Sequence, residues 1–314
     1  MEIPVYLFTG FLESGKTKFI QGTLEDKNFN SGERTLLLIC EEGIEEYDPS
    51  KFASKNVFSA LIENESDLTA ENLDALLKKN KCVRVIVEYN GMWMLDTLFQ
   101  NMPESWMVYQ EFMFIDSNTF FVYNKNMRNL MFDKLKSCEM VVFNRVTPDK
   151  DKDLPEYHKI VRGVSRRTDI IYEYTTGQSK FDYTEDPLPF DVDAPEMTIA
   201  DEDYALWYRD LSEELWKYDG KIVNIKGLVS HDSRLPKGSF IFGRQLMTCC
   251  VEDIQFAGLV CRFNGPVPAH RKWIMLRAKI TLEEHPAYNK RGPILNALSV
   301  DAAEPPLIEV ATFY

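Results

Sequence analysis

Residues Gly10-Phe11-Leu12-Glu13-Ser14-Gly15-Lys16-Thr17 carry the spacing G-x-x-x-x-G-K-[ST], directly after the apolar run Ile3-Pro4-Val5-Tyr6-Leu7-Phe8. That context gives the pattern its chemistry. A buried strand delivers the chain, glycines let the backbone curl until successive N–H groups point inward, and a helix beginning near Gly15 adds the positive end of its dipole. Such a nest, built from Gly10, Glu13, Ser14 and Gly15, suits phosphate; Lys16 would reach the outer phosphates as a point charge and the Thr17 hydroxyl would ligate Mg2+. A second element of the same chemistry is Cys82-Val83-Arg84-Val85-Ile86-Val87-Glu88, an apolar run ending in an acid. At a strand tip, Glu88 can hold Mg2+ or orient the attacking water, which makes it the best catalytic candidate outside the loop. Asn90-Gly91 follows and permits a sharp turn close to the terminal phosphate.

These residues need a scaffold, and the chain reads as alternating strands and helices for its first half. Helices are expected at Gly15–Leu24, Leu68–Leu77, from Thr119, and at Leu154–Val164. Strands are expected at Thr35–Cys40, Asn56–Leu61, Cys82–Glu88, Met113–Asp116, Met140–Phe143 and Asp169–Tyr172. That alternation predicts an α/β fold, a doubly wound and mostly parallel sheet with ligands at the carboxyl ends of its strands. The acidic stretch Glu41-Glu42-Gly43-Ile44-Glu45-Glu46-Tyr47-Asp48 lies at one such end, and one of its members could serve the metal or a water. Polar, proline-bearing residues 186–203 read as a linker between residues 1–185 and 204–314. Beyond it the grammar changes to one aromatic helix, Tyr204–Tyr218, and five short strands, Lys221–Val229, Ser239–Thr248, Phe256–Phe263, Trp273–Thr281 and Leu307–Phe313. Five strands with turns between them predict a smaller, mainly-β, barrel-like domain of the OB kind. Trp207, Tyr208, Trp216 and Tyr218 read as core or interface anchors rather than a base-stacking surface.

The 314 residues include 36 Lys and Arg against 49 Asp and Glu, a formal charge of -13. That balance argues against a nucleic-acid partner. The opening residues resemble no secretory leader and no apolar run is long enough to span a bilayer, so a cytoplasmic protein without direct membrane insertion is expected. Six cysteines in this length are not a disulfide framework. Cys249, Cys250, Cys261 and His231 form a tentative soft site for zinc or copper(I); adjacent cysteines on one strand point to opposite faces, so such a site needs the strand to end or bulge there. Burial in a barrel core is the competing reading.

With these motifs in hand, residues 2–180 resemble the CobW-like family of P-loop GTPases, which is associated with metal trafficking and cofactor insertion. The likeness rests on Gly10-to-Thr17, Cys40-Glu41-Glu42-Gly43 with Asp48 five residues on, Glu88-Tyr89-Asn90-Gly91, and Phe143-Asn144-Arg145. It implies a Mg-dependent GTPase in which Asp48 is a switch acid and Glu88 the second Mg-side acid, and in which Asn144 and Arg145 belong to the base-reading segment. Two departures stand out. The family's Cys-x-Cys-Cys cluster is replaced by Ala60-Leu61-Ile62-Glu63-Asn64-Glu65-Ser66, and its Asn-Lys-x-Asp by Asn144-Arg145-Val146-Thr147. One threonine hydroxyl cannot replace a bidentate carboxylate acceptor for guanine, which leaves GTP and ATP both open. The carboxy-terminal part, with Tyr218-Asp219-Gly220-Lys221, Gly227-Leu228-Val229 and Cys249-Cys250, looks like the uncharacterised soluble domain encoded beside bacterial permease-type membrane proteins. Two functions are therefore expected: nucleotide hydrolysis driving metal or cofactor delivery to a client protein, or a low-turnover nucleotide-binding adaptor acting with a permease-type partner.

Overall fold

Apolar runs without alternation become strands buried on both faces, as Leu36, Leu37 and Leu38 and then Val85, Ile86 and Val87 show with no exposed surface. The structure, a computed structural model, describes residues 2–247 and 254–313. The chain divides into two compact units, Met1–Thr184 and Glu185–Tyr314.

The first unit runs β1 (Ile3–Thr9), α1 (Lys16–Glu25), β2 (Thr35–Ile39), β3 (Val57–Leu61), α2 (Ala70–Lys79) and β4 (Arg84–Glu88). It continues through α3 (Leu95–Asn101), β5 (Trp106–Asp116), α4 (Phe120–Asn126), α5 (Arg128–Leu135), β6 (Met140–Val146), α6 (Leu154–Val164), β7 (Asp169–Tyr174) and β8 (Ser179–Phe181). Its eight strands lie in the order β3-β2-β4-β1-β5-β6-β7-β8. Every pairing is parallel except the last, where β8 turns back antiparallel on β7. Strand alternation sorts the core. Val5, Leu7, Val85 and Val87 face Leu73, Leu77, Leu95 and Leu98 of α2 and α3, while Phe8, Leu37 and Ile86 face Ile20 and Leu24 of α1 on the other side. The β5–β7 half carries α4, α5 and α6 through Phe120, Met131, Leu135, Tyr157 and Val161. Helices on both faces of a mostly parallel sheet are the doubly wound arrangement that the alternation predicts. The consequence for the site is local: β4 lies directly beside β1 with Phe8 opposite Glu88, so the acid ends level with the start of the glycine loop.

β5 is longer than the expected Met113–Asp116, because its first half pairs with β1 from Ile3 opposite Trp106 although Gln110 and Glu111 interrupt its apolar character. Glu111 is buried, accepts a hydrogen bond from Ser137 Oγ at 3.0 Å, and has its carboxyl pushed up to about 7, chiefly by burial. A carboxyl raised in the folded state contributes stability that is complete below its ordinary value of 4.5 and is lost as pH rises through about 7. Glu111→Gln is therefore expected to stabilise the protein at pH 8 by on the order of 2 kcal/mol and to change little at pH 4.5. Thermal unfolding of both proteins at the two pH values checks this, and equal midpoints at pH 8 would contradict it.

The second unit contains β9 (Glu196–Thr198), α7 (Tyr204–Glu213), β10 (Ile222–Ser230), β11 (Ser239–Met247), β12 (Gln255–Arg262), β13 (Trp273–His285), β14 (Lys290–Ala302) and β15 (Ala311–Thr312). Five of these strands close on themselves as β10-β11-β12-β14-β13, with β10 pairing β11 and with β12 and β14 parallel. This is the strand order of an OB-type barrel. Along β10 buried and partly exposed residues alternate, so Val223, Ile225 and Val229 fill the barrel and meet Tyr204, Trp207 and Leu211 of α7.

Three expectations are corrected. The fifth barrel strand is β14, not Leu307–Phe313. Leu307 and Ile308 are exposed, and the strand there is only Ala311–Thr312, paired with the edge of β11. Residues 186–203 are not a free linker: β9 pairs with β10, and Phe190, Val192, Met197 and Ile199 are buried in the barrel core. The helix expected over Tyr204–Tyr218 breaks at Glu214 into α7 and a 3-10 turn, Leu215–Tyr218. Among the described residues no helix is long and apolar enough to cross a membrane.

Candidate functional site

The glycine loop crosses from β1 to α1 in the shape its sequence requires. Gly10 sits at φ 133° and Gly15 at φ 99°. A side chain at Gly10 would place its Cβ 2.2 Å from the Phe114 carbonyl oxygen, so the loop can lie against β5 only because that position is glycine. Lys16, the first residue of α1, is buried under the loop it follows. Its Nζ donates to the carbonyls of Gly10 at 2.9 Å and Phe11 at 3.0 Å, and to Glu41 Oε1. Thr17 Oγ1 donates to Glu88 Oε1 at 2.6 Å, and the Tyr47 hydroxyl donates to Glu88 Oε2 at 2.5 Å. Burial raises the Glu88 carboxyl above its ordinary value, and the hydrogen bonds from Thr17 and Tyr47 and the Lys16 charge pull it back. Lys16, Thr17, Glu41 and Glu88 thus line one small cavity with Glu13, Ser14, Gly15 and Arg145.

Asn144 and Arg145, at the end of β6, hold the loop from outside. Asn144 Nδ2 donates to the Ser14 carbonyl, while Arg145 Nη1 donates to the Glu13 carbonyl at 2.8 Å and to Asp116 Oδ2 at 2.5 Å. Both contacts fasten the backbone that presents the loop amides. Ser14 Oγ and Asn144 Oδ1 are buried and have no hydrogen-bond partner among the described residues. Beside them a groove of about 1020 Å³ runs between α1 and the β7–β8 turn, lined by Gly15, Phe19, Asn144, Arg145, Tyr174 and Gln178 among others. Asp149, near the Thr147 that stands where a guanine reader carries aspartate, is exposed, and its carboxyl is held low by hydrogen bonding to Thr147.

Asp48 is placed differently from its expected role. Its carboxylate accepts from Ser50 N at 3.0 Å and Ser50 Oγ at 2.5 Å and pairs with Lys51, which makes it the cap of the turn Pro49–Lys51. Those contacts hold the carboxyl below its usual range. Its neighbour Tyr47 is the residue that reaches Glu88. Four contributors escaped the motif reading: Tyr47, the Glu13 carboxylate accepting from Ile44 N at 2.7 Å, the Gly91 amide donating to Glu41 Oε2 at 3.2 Å, and a buried pair on α5. In that pair Asp133 Oδ2 accepts from Leu95 N at 2.8 Å, and Lys134 Nζ donates to the Trp93 carbonyl at 3.0 Å. Together they clamp the turn after β4 that carries Gly91. Burial lowers Lys134 to about 8, opposed by the Asp133 charge. Glu41 had a signal as one acid of a run at a strand end, Glu13 as a loop residue and Gly91 as a turn residue after β4, though not for these contacts; Tyr47 and the α5 pair had none.

Of the tentative soft site, Cys249 and Cys250 lie outside the described residues. Cys261 is fully buried in the barrel core, and burial pushes its thiol up to about 12. His231 Nε2 pairs with the Pro268 carbonyl at 2.8 Å, and its ring lies beside that of His270. Among the described residues no group of three or more His, Cys, Asp or Glu is placed to hold a metal ion.

Residues 174–308 match the family model described as the DUF1980 C-terminal domain, which covers less than half of the chain. A comparison with curated proteins gives no match. Among solved structures, the hydrogenase maturation factor HypB from Archaeoglobus fulgidus is similar at 15% identity with a TM-score of 0.40, over 56% of this chain and 82% of that one.

Proposed function

We propose that this chain binds a purine nucleoside triphosphate with Mg2+ at residues 10–17 and hydrolyses it, and that the phosphate state governs delivery of a metal or cofactor to a client protein. One observation carries the reading: the Lys16 ammonium, the Thr17 hydroxyl and the Glu88 carboxylate meet at the mouth of a glycine loop. Inward loop amides and the lysine neutralise phosphate oxygens, the larger part of catalysis in phosphoryl transfer. Thr17 and Glu88 would supply hard oxygen donors of the kind Mg2+ takes, and the bound ion would offset charge on the transferred group. Glu88 in its ionised form orients the attacking water or holds the metal's water shell, and Thr17 and Tyr47 fix its two oxygens. Asp48 stands at the foot of the same segment as Tyr47, so a supporting role for it requires that segment to move. Turnover of GTP and of ATP, each with and without Mg2+, tests the reading; no Mg-dependent phosphate release from either nucleotide rejects hydrolysis.

The delivery half of the proposal draws on the CobW-like resemblance. One observation favours the second reading, a low-turnover adaptor working with a permease-type partner: Thr147 leaves the base-reading segment without its carboxylate. The same residue makes base selectivity a prediction. GTP over ATP preference is expected to be within about tenfold, since a site lacking half of a bidentate pairing discriminates weakly. Competition binding with the two nucleotides checks it, and a preference of several orders of magnitude for GTP would show that another acceptor does the reading.

A further inference from the structure

The segment from Glu41 to Tyr47 is tied down at three points, and every tie ends on the phosphate site. Glu41 bridges Lys16 Nζ and the Gly91 amide with one carboxylate oxygen each. Ile44 N donates to the Glu13 carboxylate at 2.7 Å, and the Tyr47 hydroxyl donates to Glu88. Gly43 makes the middle tie possible, because a Cβ there would lie 2.4 Å from Glu13 Oε1. Lys16 and the Gly91 amide are a cation and a backbone donor facing one anion, the pair of donors that a terminal phosphate uses in a glycine-loop site. Both side chains of the ion pair are buried, at 2% and 10% exposure, so the carboxylate is held in a place where a second anion cannot share it.

We propose that Glu41 is a built-in surrogate for the terminal phosphate, and that a triphosphate, but not a diphosphate, must eject it and thereby release segment 41–47. The inference rests on the nucleotide reading above. A diphosphate keeps its contacts to the loop amides and has no terminal group to set against Glu41, so the segment stays pinned. A triphosphate takes over Lys16 and the Gly91 amide, and like-charge repulsion drives the carboxylate out. Glu41 thereby lowers affinity for triphosphate selectively and couples the phosphate count to an exposed acidic segment.

The test uses the full chain, the Mg complexes of a non-hydrolysable guanosine triphosphate analogue and of guanosine diphosphate, and Glu41→Gln. Calorimetry is expected to show that the substitution raises the ratio of triphosphate to diphosphate affinity about tenfold, the worth of one charge-assisted contact removed from competition. Hydrogen exchange on the unaltered chain is expected to speed up across residues 41–47 with the triphosphate analogue and not with the diphosphate. An unchanged or lower affinity ratio in the variant, or exchange equal under the two nucleotides, overturns the surrogate role while leaving nucleotide binding intact. Absence of binding to the unaltered chain by these guanosine nucleotides and by their adenosine counterparts overturns the nucleotide reading, and the surrogate with it.

Discussion

Lys16→Ala is expected to weaken binding of a Mg-bound nucleoside triphosphate by about a hundredfold, because a charge-assisted phosphate contact inside a buried nest is lost. The same change removes the partner of Glu41, whose carboxylate is then left buried beside loop carbonyls, so the variant is also expected to lose stability. The two effects can be separated. Lys16→Ala combined with Glu41→Ala takes away both charges and is expected to recover stability but only the smaller part of the affinity, the share that the competing carboxylate withholds, with stability effects that are non-additive as residues in direct contact should give. Calorimetric titration with thermal unfolding of the unaltered chain, the two single variants and the double variant reads both quantities. Affinity unchanged in Lys16→Ala would move the nucleotide elsewhere on the chain.

Glu88→Gln is expected to lower turnover about a hundredfold or more, the scale of a positioned proton acceptor, while changing nucleotide affinity far less. Glutamine keeps the shape of the side chain and an acceptor for Thr17, so the fold of the loop should survive; what disappears is the negative charge and the second acceptor oxygen, so the Tyr47 hydroxyl must turn to accept from the amide. The pH dependence follows from the direction of the shift. Burial raises the Glu88 carboxyl, so turnover should fall as pH drops through that raised value, where the side chain takes up its proton, and the acidic limb should be missing from the residual activity of the variant. Steady-state rates between pH 5 and 8 provide the comparison. Equal turnover in variant and unaltered chain would give the catalytic role to another group, with Glu41, which lines the same cavity, the next candidate.

How much of this was legible in the residues depends on whether the determining interactions are local. The loop from Gly10 to Thr17 is a local object: its glycines, its lysine and the helix it opens lie within eight residues, so spacing alone specifies backbone shape and the placing of Lys16. The parallel sheet is nearly as legible, since strands covered on both faces must be apolar throughout and the runs at residues 35–40 and 82–88 stand out against their surroundings. The barrel could be read from alternation along β10, but β14 could not. Lys290-Arg291-Gly292-Pro293 has the composition of a turn, and it is a strand because it pairs with residues 282–285 of the thirteen-residue β13, while β12 pairs farther along β14 at residues 294–296. Asp48 carried a local signal that pointed away from catalysis, an acid followed by proline and serine, which is how a helical turn is capped.

By itself, then, the sequence determined a glycine loop between a strand and a helix on a parallel sheet and a second, barrel-like unit, because each depends on periodicity or spacing within a short window. Tertiary structure alone decided which acid faces the lysine, which hydroxyls hold Glu88, and what clamps the turn carrying Gly91. Glu41 meets Lys16 across 25 residues, Tyr47 meets Glu88 across 41, and Lys134 meets Trp93 across 41. No local pattern encodes such pairs. They exist because parallel strands β1, β2 and β4 end at the same edge of one sheet, and the segments leaving those ends must share the space above it.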